Sequence, residues 1–186
     1  MNNNKDQTLP EQEEKINSAG EVDFDGLESS FSPGGEEFRL PSSKDYQQEY
    51  VRLSGIVETQ KKMGREIVVV MGLGFVGAVM AGVVADSVDK ETKEPKKFVI
   101  GVQRPSTRSF WKIPMLNRGV SPVEAEDPEV ADMIERCVNQ KNTLCATFTH
   151  DALKLADVVV VDVQCDFLKQ DLGNLKTGYA DVSALE

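Results

Sequence analysis

Apolar residues along the chain fall into a few dense blocks, and their internal spacing separates helix from strand. From Asp45 to Lys62 the positions Tyr46, Tyr50, Leu53 and Val57 recur every three or four residues, which lines one face of a helix. Ser54 and Gly55 weaken that helix at its middle, where glycine costs about 1 kcal/mol relative to alanine. Ile67 to Ala85 is a run of 19 residues with no charged or strongly polar side chain. Such a run is long enough to cross a bilayer. Gly74, Ala78 and Gly82 supply a small residue at every fourth position, Lys61, Lys62 and Arg65 flank one end, and Asp86 and Asp89 flank the other, so a single-pass membrane helix is one reading. The other divides the run into a β-branched strand, Ile67 to Met71, a turn, Gly72 to Gly77, and a helix, Phe75 to Ala85, buried in an α/β core.

The rest of the chain favours the division. A membrane anchor predicts nothing about residues 86–186, whereas a parallel sheet requires more strands at helix-length spacing. Phe98 to Val102 is apolar and β-branched, and Thr143 to Phe148 can form a further strand. Asp127 to Val138 places Val130, Met133, Ile134, Cys137 and Val138 on one helical face, His150 to Ala156 reads as a short helical crossover, and Val158 to Val163 is a second near-continuous apolar strand. The alternation predicts an α/β fold, a Rossmann-like parallel sheet with helices on both faces. No membrane association is expected.

Composition adjusts this picture at its N-terminal end. The 186 residues carry 31 acidic and 21 basic side chains, a net charge of −10, with a sequence pI of about 4.7. Residues 1–45 hold 11 of the acids and 4 of the bases. Their few large apolar residues, among them Phe24, Phe31 and Phe38, show no sustained period, so a disordered acidic tail is expected there, because so little burial does not offset the ordering entropy. The organisation expected is a tail over 1–45, an amphipathic helix over 46–62 and a Rossmann domain over 63–186. An acidic surface repels phosphates, so nucleic acid is not an expected partner. Three scattered cysteines form neither a disulfide framework nor a zinc site, and no apolar leader opens the sequence, so the cytoplasm is the expected compartment.

The turn reads Gly72-Leu73-Gly74-Phe75-Val76-Gly77, a G-x-G-x-x-G between a predicted strand and a predicted helix. In that context the first glycine permits a tight turn, the second lets a diphosphate approach the backbone, and the third lets helix and strand pack closely. Free N–H groups at the helix start then face the phosphates. No lysine follows the last glycine, which excludes a nucleoside-triphosphate loop of the usual kind. A dinucleotide site should also hold the adenosine ribose at the end of its second strand, most often with an acid. Here that strand runs into Gln103-Arg104-Pro105-Ser106-Thr107-Arg108, and no acid is present. Arg104 and Arg108 could bind a 2′-phosphate, while Gln103 could bind a ribose hydroxyl, so NAD and NADP both remain open.

GLGFVGAVMA, VIGV, LNRGVSP and DALKLADVVVVDV together resemble, in order and spacing, the N-terminal cofactor domain of the UDP-glucose/GDP-mannose dehydrogenase family of nucleotide-sugar dehydrogenases. The resemblance spans about Glu66 to Glu186. It implies NAD as the cofactor, with NADP possible, and oxidation of a sugar-nucleotide alcohol to the uronic acid through a thiohemiacetal and thioester on a cysteine. It places Gly72, Leu73, Gly74, Phe75, Val76 and Gly77 at the diphosphate and Gln103 where the family has its ribose-binding acid. The loop after the fourth strand, V-P-T-P in the family, reads Val163-Gln164-Cys165-Asp166 here, which brings Val163 and Cys165 beside the cofactor. Pro114 falls within what is normally a helix, and Glu124 to Pro128 does not reproduce the family's E-P-G-L.

The family's catalytic cysteine lies in a G-G-x-C-x-P motif, and no residue of this sequence matches it. Cys137 and Cys145 fall on predicted core positions. Cys165 stands at the carboxyl edge of the sheet, where Asp166 would raise its pKa and oppose a thiolate. His150, the only histidine, has no evident partner for a role as a base. The expectation is therefore a Rossmann domain truncated after about four strands, the cofactor-binding part of a dehydrogenase, with the nucleotide sugar handled by missing domains. A non-catalytic dinucleotide-binding or interaction protein is the alternative. In the strand order 3-2-1-4, Val158 to Val163 would form an open edge, so a homo-oligomer or association through that edge is expected.

Overall fold

The structure, a computed structural model, describes residues 28–163 and, apart from them, two short antiparallel ladders, Lys15–Ile16 with Val22–Asp23 and Phe167–Lys169 with Gly178–Ala180. Within 28–163 the chain forms a hairpin, β1 (Ser29–Phe31) and β2 (Glu37–Arg39), and then the helix α1 (Ser43–Lys62). After these come β3 (Glu66–Met71), α2 (Phe75–Asp86), β4 (Lys97–Val102), α3 (Lys112–Asn117) and α4 (Glu129–Glu135), the last continuing into one π-type turn over Arg136–Gln140. β5 (Leu144–Thr147), a 3₁₀ turn over His150–Leu155 and β6 (Val158–Val161) complete the unit.

Four strands make one parallel sheet in the order β5-β4-β3-β6. The chain order of these strands is 3-2-1-4, as the apolar pattern predicts. The 19-residue apolar run is divided into a six-residue strand and a twelve-residue helix, and no helix among the described residues is long and apolar enough to cross a membrane.

Two cores lie on opposite faces of the sheet. On one, α2, α3 and α4 bury Ala81, Ala85, Leu116 and Ile134 against Val68, Val70 and Val99. On the other, α1 lays Leu53 and Val57 over Ile67, Val69, Phe98 and Ile100. The predicted amphipathic face of α1 is thus the one that packs, with Tyr46, Leu53 and Val57 buried, and the helix runs unbroken through Ser54 and Gly55. It starts at Ser43, earlier than the periodicity suggests, because Ser42 and Asp45 form a capping box in which Asp45 Oδ2 accepts the Ser42 N–H at 2.7 Å.

The disordered tail expected over 1–45 is incorrect for 28–45. Phe38 and Leu40 are buried, the Ser30 hydroxyl accepts the Trp111 N–H at 3.2 Å, and Arg118 pairs with Glu36 at 2.6 Å while lying over the Phe38 ring. The hairpin has no helical or strand period of its own long enough to read. It is ordered by docking on the α3 region.

Several residues that carry the family resemblance fix this framework. Asn117 donates to the Ala146 carbonyl at 3.0 Å and accepts its N–H at 2.7 Å, so one side chain occupies the outer edge of β5 as a strand would. Asp157 accepts the Ile67 N–H at 2.9 Å and the Lys61 ammonium at 3.0 Å, and these contacts, the backbone amide first, hold its carboxyl below the usual range. Pro114, a departure from the resemblance, sits within the first turn of α3, where its missing N–H costs nothing.

Candidate dinucleotide site

The carboxyl ends of β3, β4 and β6 meet at the turn Gly72 to Gly74, where the connection out of β3 leads to one neighbouring strand and the chain returns on the other side. Open α/β sheets bind ligands at such a reversal of strand order. Gly72 has φ +95°, a conformation that side chains disfavour, and a Cβ there would stand 2.1 Å from the Asp162 carbonyl. A Cβ on Gly77 would stand 2.0 Å from the Gly72 carbonyl. Both positions therefore require glycine for packing. Gly74 is different: nothing lies within 4 Å of where its Cβ would be, and as N-cap of α2 it offers no side-chain cap to the helix. The first turn of α2 thus starts from an open position, bordered by the exposed Phe75 and Val76. That is a cradle with room for an anionic group.

The turn is braced on three sides. The Gly72 N–H donates to Val102 at 2.9 Å, and the Asp162 N–H donates to Met71 at 2.8 Å. The Leu73 N–H donates to Gln103 Oε1 at 3.0 Å, and the Leu73 carbonyl accepts the Lys112 ammonium at 3.1 Å. Gln103 thus stands at the end of β4 where the pattern places it, but its carbonyl oxygen holds the glycine turn and only its amide nitrogen faces outward, with contacts to Arg104 O at 3.3 Å and Ser109 Oγ at 3.4 Å. Arg104 and Arg108 are exposed on the loop that follows. Val163 is half-buried just beyond β6, and Cys165 lies outside the described residues.

Two residues at the turn escape the sequence reading. Lys112 opens α3, and partial burial lowers the pKa of its ammonium. Asp162 ends β6 with its Oδ2 at 2.8 Å from the Gly77 Cβ position. Lys112 belongs to no motif, Asp162 falls within DALKLADVVVVDV without being singled out there, and both reach the turn only through the fold.

The two described cysteines are unsuited to nucleophilic chemistry. Burial pushes the Cys145 thiol up to about 12 and, together with the nearby Asp86, the Cys137 thiol up to about 11. Among the described residues no group of His, Cys, Asp or Glu side chains could hold a metal ion.

No family model and no curated protein matches the sequence. The fold does match solved structures, among them the NDP-N-acetyl-D-galactosaminuronic acid dehydrogenase from Methanosarcina mazei Go1, at 30% identity over 72% of this chain with a TM-score of 0.52. Over this unit the chain is similar in fold to a nucleotide-sugar dehydrogenase. The match covers 25% of the archaeal enzyme, so the dehydrogenase-like chain spans about a quarter of that enzyme's length.

Proposed function

We propose that this dehydrogenase-like chain binds a nicotinamide dinucleotide at the β3–α2 turn and is the cofactor-binding part of a nucleotide-sugar dehydrogenase that oxidises a UDP- or GDP-sugar alcohol to the uronic acid. The observation that carries the reading is the cradle itself, with Gly72 and Gly77 obligatory for packing and Gly74 leaving the start of α2 open. The likeness to a uronic acid dehydrogenase supports the same chemistry.

In this reading the amides of residues 72–77 hold the diphosphate. Gln103 takes the adenosine ribose, Arg104 and Arg108 border the position of an NADP 2′-phosphate, and Lys112 supplies a positive charge at the Leu73 carbonyl. Val163 borders the nicotinamide, which supplies hydride acceptance when bound, and the family resemblance assigns Cys165 to the same role. The cofactor proposed is NAD. The absence of an acid at Gln103 leaves NADP a place as well, with the two arginines as its anchors. Cys137 and Cys145 do not serve as nucleophile. A cytoplasmic location and self-association through the open edge of β6 belong to the same proposal.

The test is titration of NAD and NADP followed by thermal unfolding. A ligand at about 100 times its Kd should stabilise the fold by about 2.7 kcal/mol. Absence of a shift with either coenzyme would contradict the proposal. Arg104→Ala together with Arg108→Ala should weaken NADP while leaving NAD unchanged.

A further inference from the structure

The cradle contains a charge opposed to its proposed ligand. Asp162 cannot leave the turn without unzipping β6 from β3, because its N–H is bonded to Met71 and its carbonyl packs on Gly72. Its side chain then lies on Gly77 in the first turn of α2, with Oδ2 at 2.8 Å from where a Cβ would stand. No hydrogen bond or ion pair with another described residue engages that carboxylate. Lys112, a cation on the turn, is engaged by the Leu73 carbonyl.

The start of a helix attracts anions, and a carboxylate held there cancels part of that attraction. A diphosphate entering the same place meets the remaining field and a fixed like charge at short range. We propose that Asp162 sets the affinity of this site, keeping dinucleotide binding weak and readily reversible by holding its carboxylate on the first turn of α2, beside the open Gly74 position proposed for the diphosphate. The inference rests on the dinucleotide reading of the turn and adds to it the residue that limits occupancy.

The experiment is calorimetric titration of the full chain with NAD, ADP-ribose and adenosine, for wild type, Asp162→Asn and Asp162→Ser. Asparagine preserves shape, and serine guards against a misplaced amide. Both variants should bind NAD and ADP-ribose about tenfold more tightly, the change expected on removing one like charge at close range. Adenosine, which lacks the diphosphate, should be unaffected. If wild type binds NAD and neither variant binds it more tightly, the role of Asp162 is wrong and the site stands. Equal gains for adenosine would also overturn it, since the effect would then not be exerted on phosphate. If neither wild type nor variants bind NAD or ADP-ribose, the dinucleotide reading itself fails and this inference with it.

Discussion

Gly74 and Gly77 lie three positions apart at the start of α2 and have opposite surroundings. At Gly77 a methyl group would collide with the Gly72 carbonyl, so Gly77→Ala should cost about 3 kcal/mol of stability by overpacking, measured by denaturant unfolding. At Gly74 the space is open, so Gly74→Ala should leave stability within about 0.5 kcal/mol and weaken dinucleotide binding alone. Asp86 gives a prediction in pH. Arg136 bonds both of its oxygens, at 2.8 and 2.9 Å, and Lys141 adds a contact at 2.8 Å, which holds the carboxyl well below the usual range. A carboxyl depressed on folding stabilises above its unfolded value of about 3.9 and loses that contribution as pH falls towards its folded value. Asp86→Asn should therefore cost about 2 kcal/mol near neutral pH and flatten the fall in stability below about pH 4, in urea unfolding repeated across pH. The glycines of the turn are legible in sequence because their constraint is local. Lys112 and Asp162 are not, because their partners, Leu73 and Gly77, lie far away in the chain and the contact exists only once the sheet has formed.

Helices and strands were readable where burial imposes a period. Leu53 and Val57 of α1 announce a face, and the unbroken β-branched runs of β3 and β6 announce strands, although β6 is largely exposed. The hairpin β1–β2 does not, since its strands are three residues long and its order comes from Trp111, Arg118 and the buried Phe38 and Leu40. Its stability is borrowed from α3, and composition alone reads the segment as acidic and uncompacted. The role of α1 can be measured: Leu53 is fully buried over β3 and β4, so Leu53→Ala should lower stability by about 3 kcal/mol without altering the glycine turn at the carboxyl end of the sheet. Thermal unfolding of the variant with and without NAD separates the two, because the ligand-induced shift should persist.

The two edges of the sheet are treated in opposite ways. β5 is buried at every position and its edge is taken by the Asn117 side chain, whereas Val158, Val159 and Val161 of β6 are exposed. An unguarded row of valines favours antiparallel pairing with the same strand of a second copy. Val159→Lys should shift the chain towards monomer in sedimentation velocity, while leaving its unfolding midpoint nearly unchanged. At this scale the claim on which the account depends is that the amides of residues 74–77 receive a diphosphate. Amide-resolved NMR during NAD titration tests it most directly. The account predicts saturable shifts centred on Gly74, Phe75, Val76 and Gly77, with smaller ones at Gln103. Shifts centred elsewhere, or none at any attainable concentration, would contradict it.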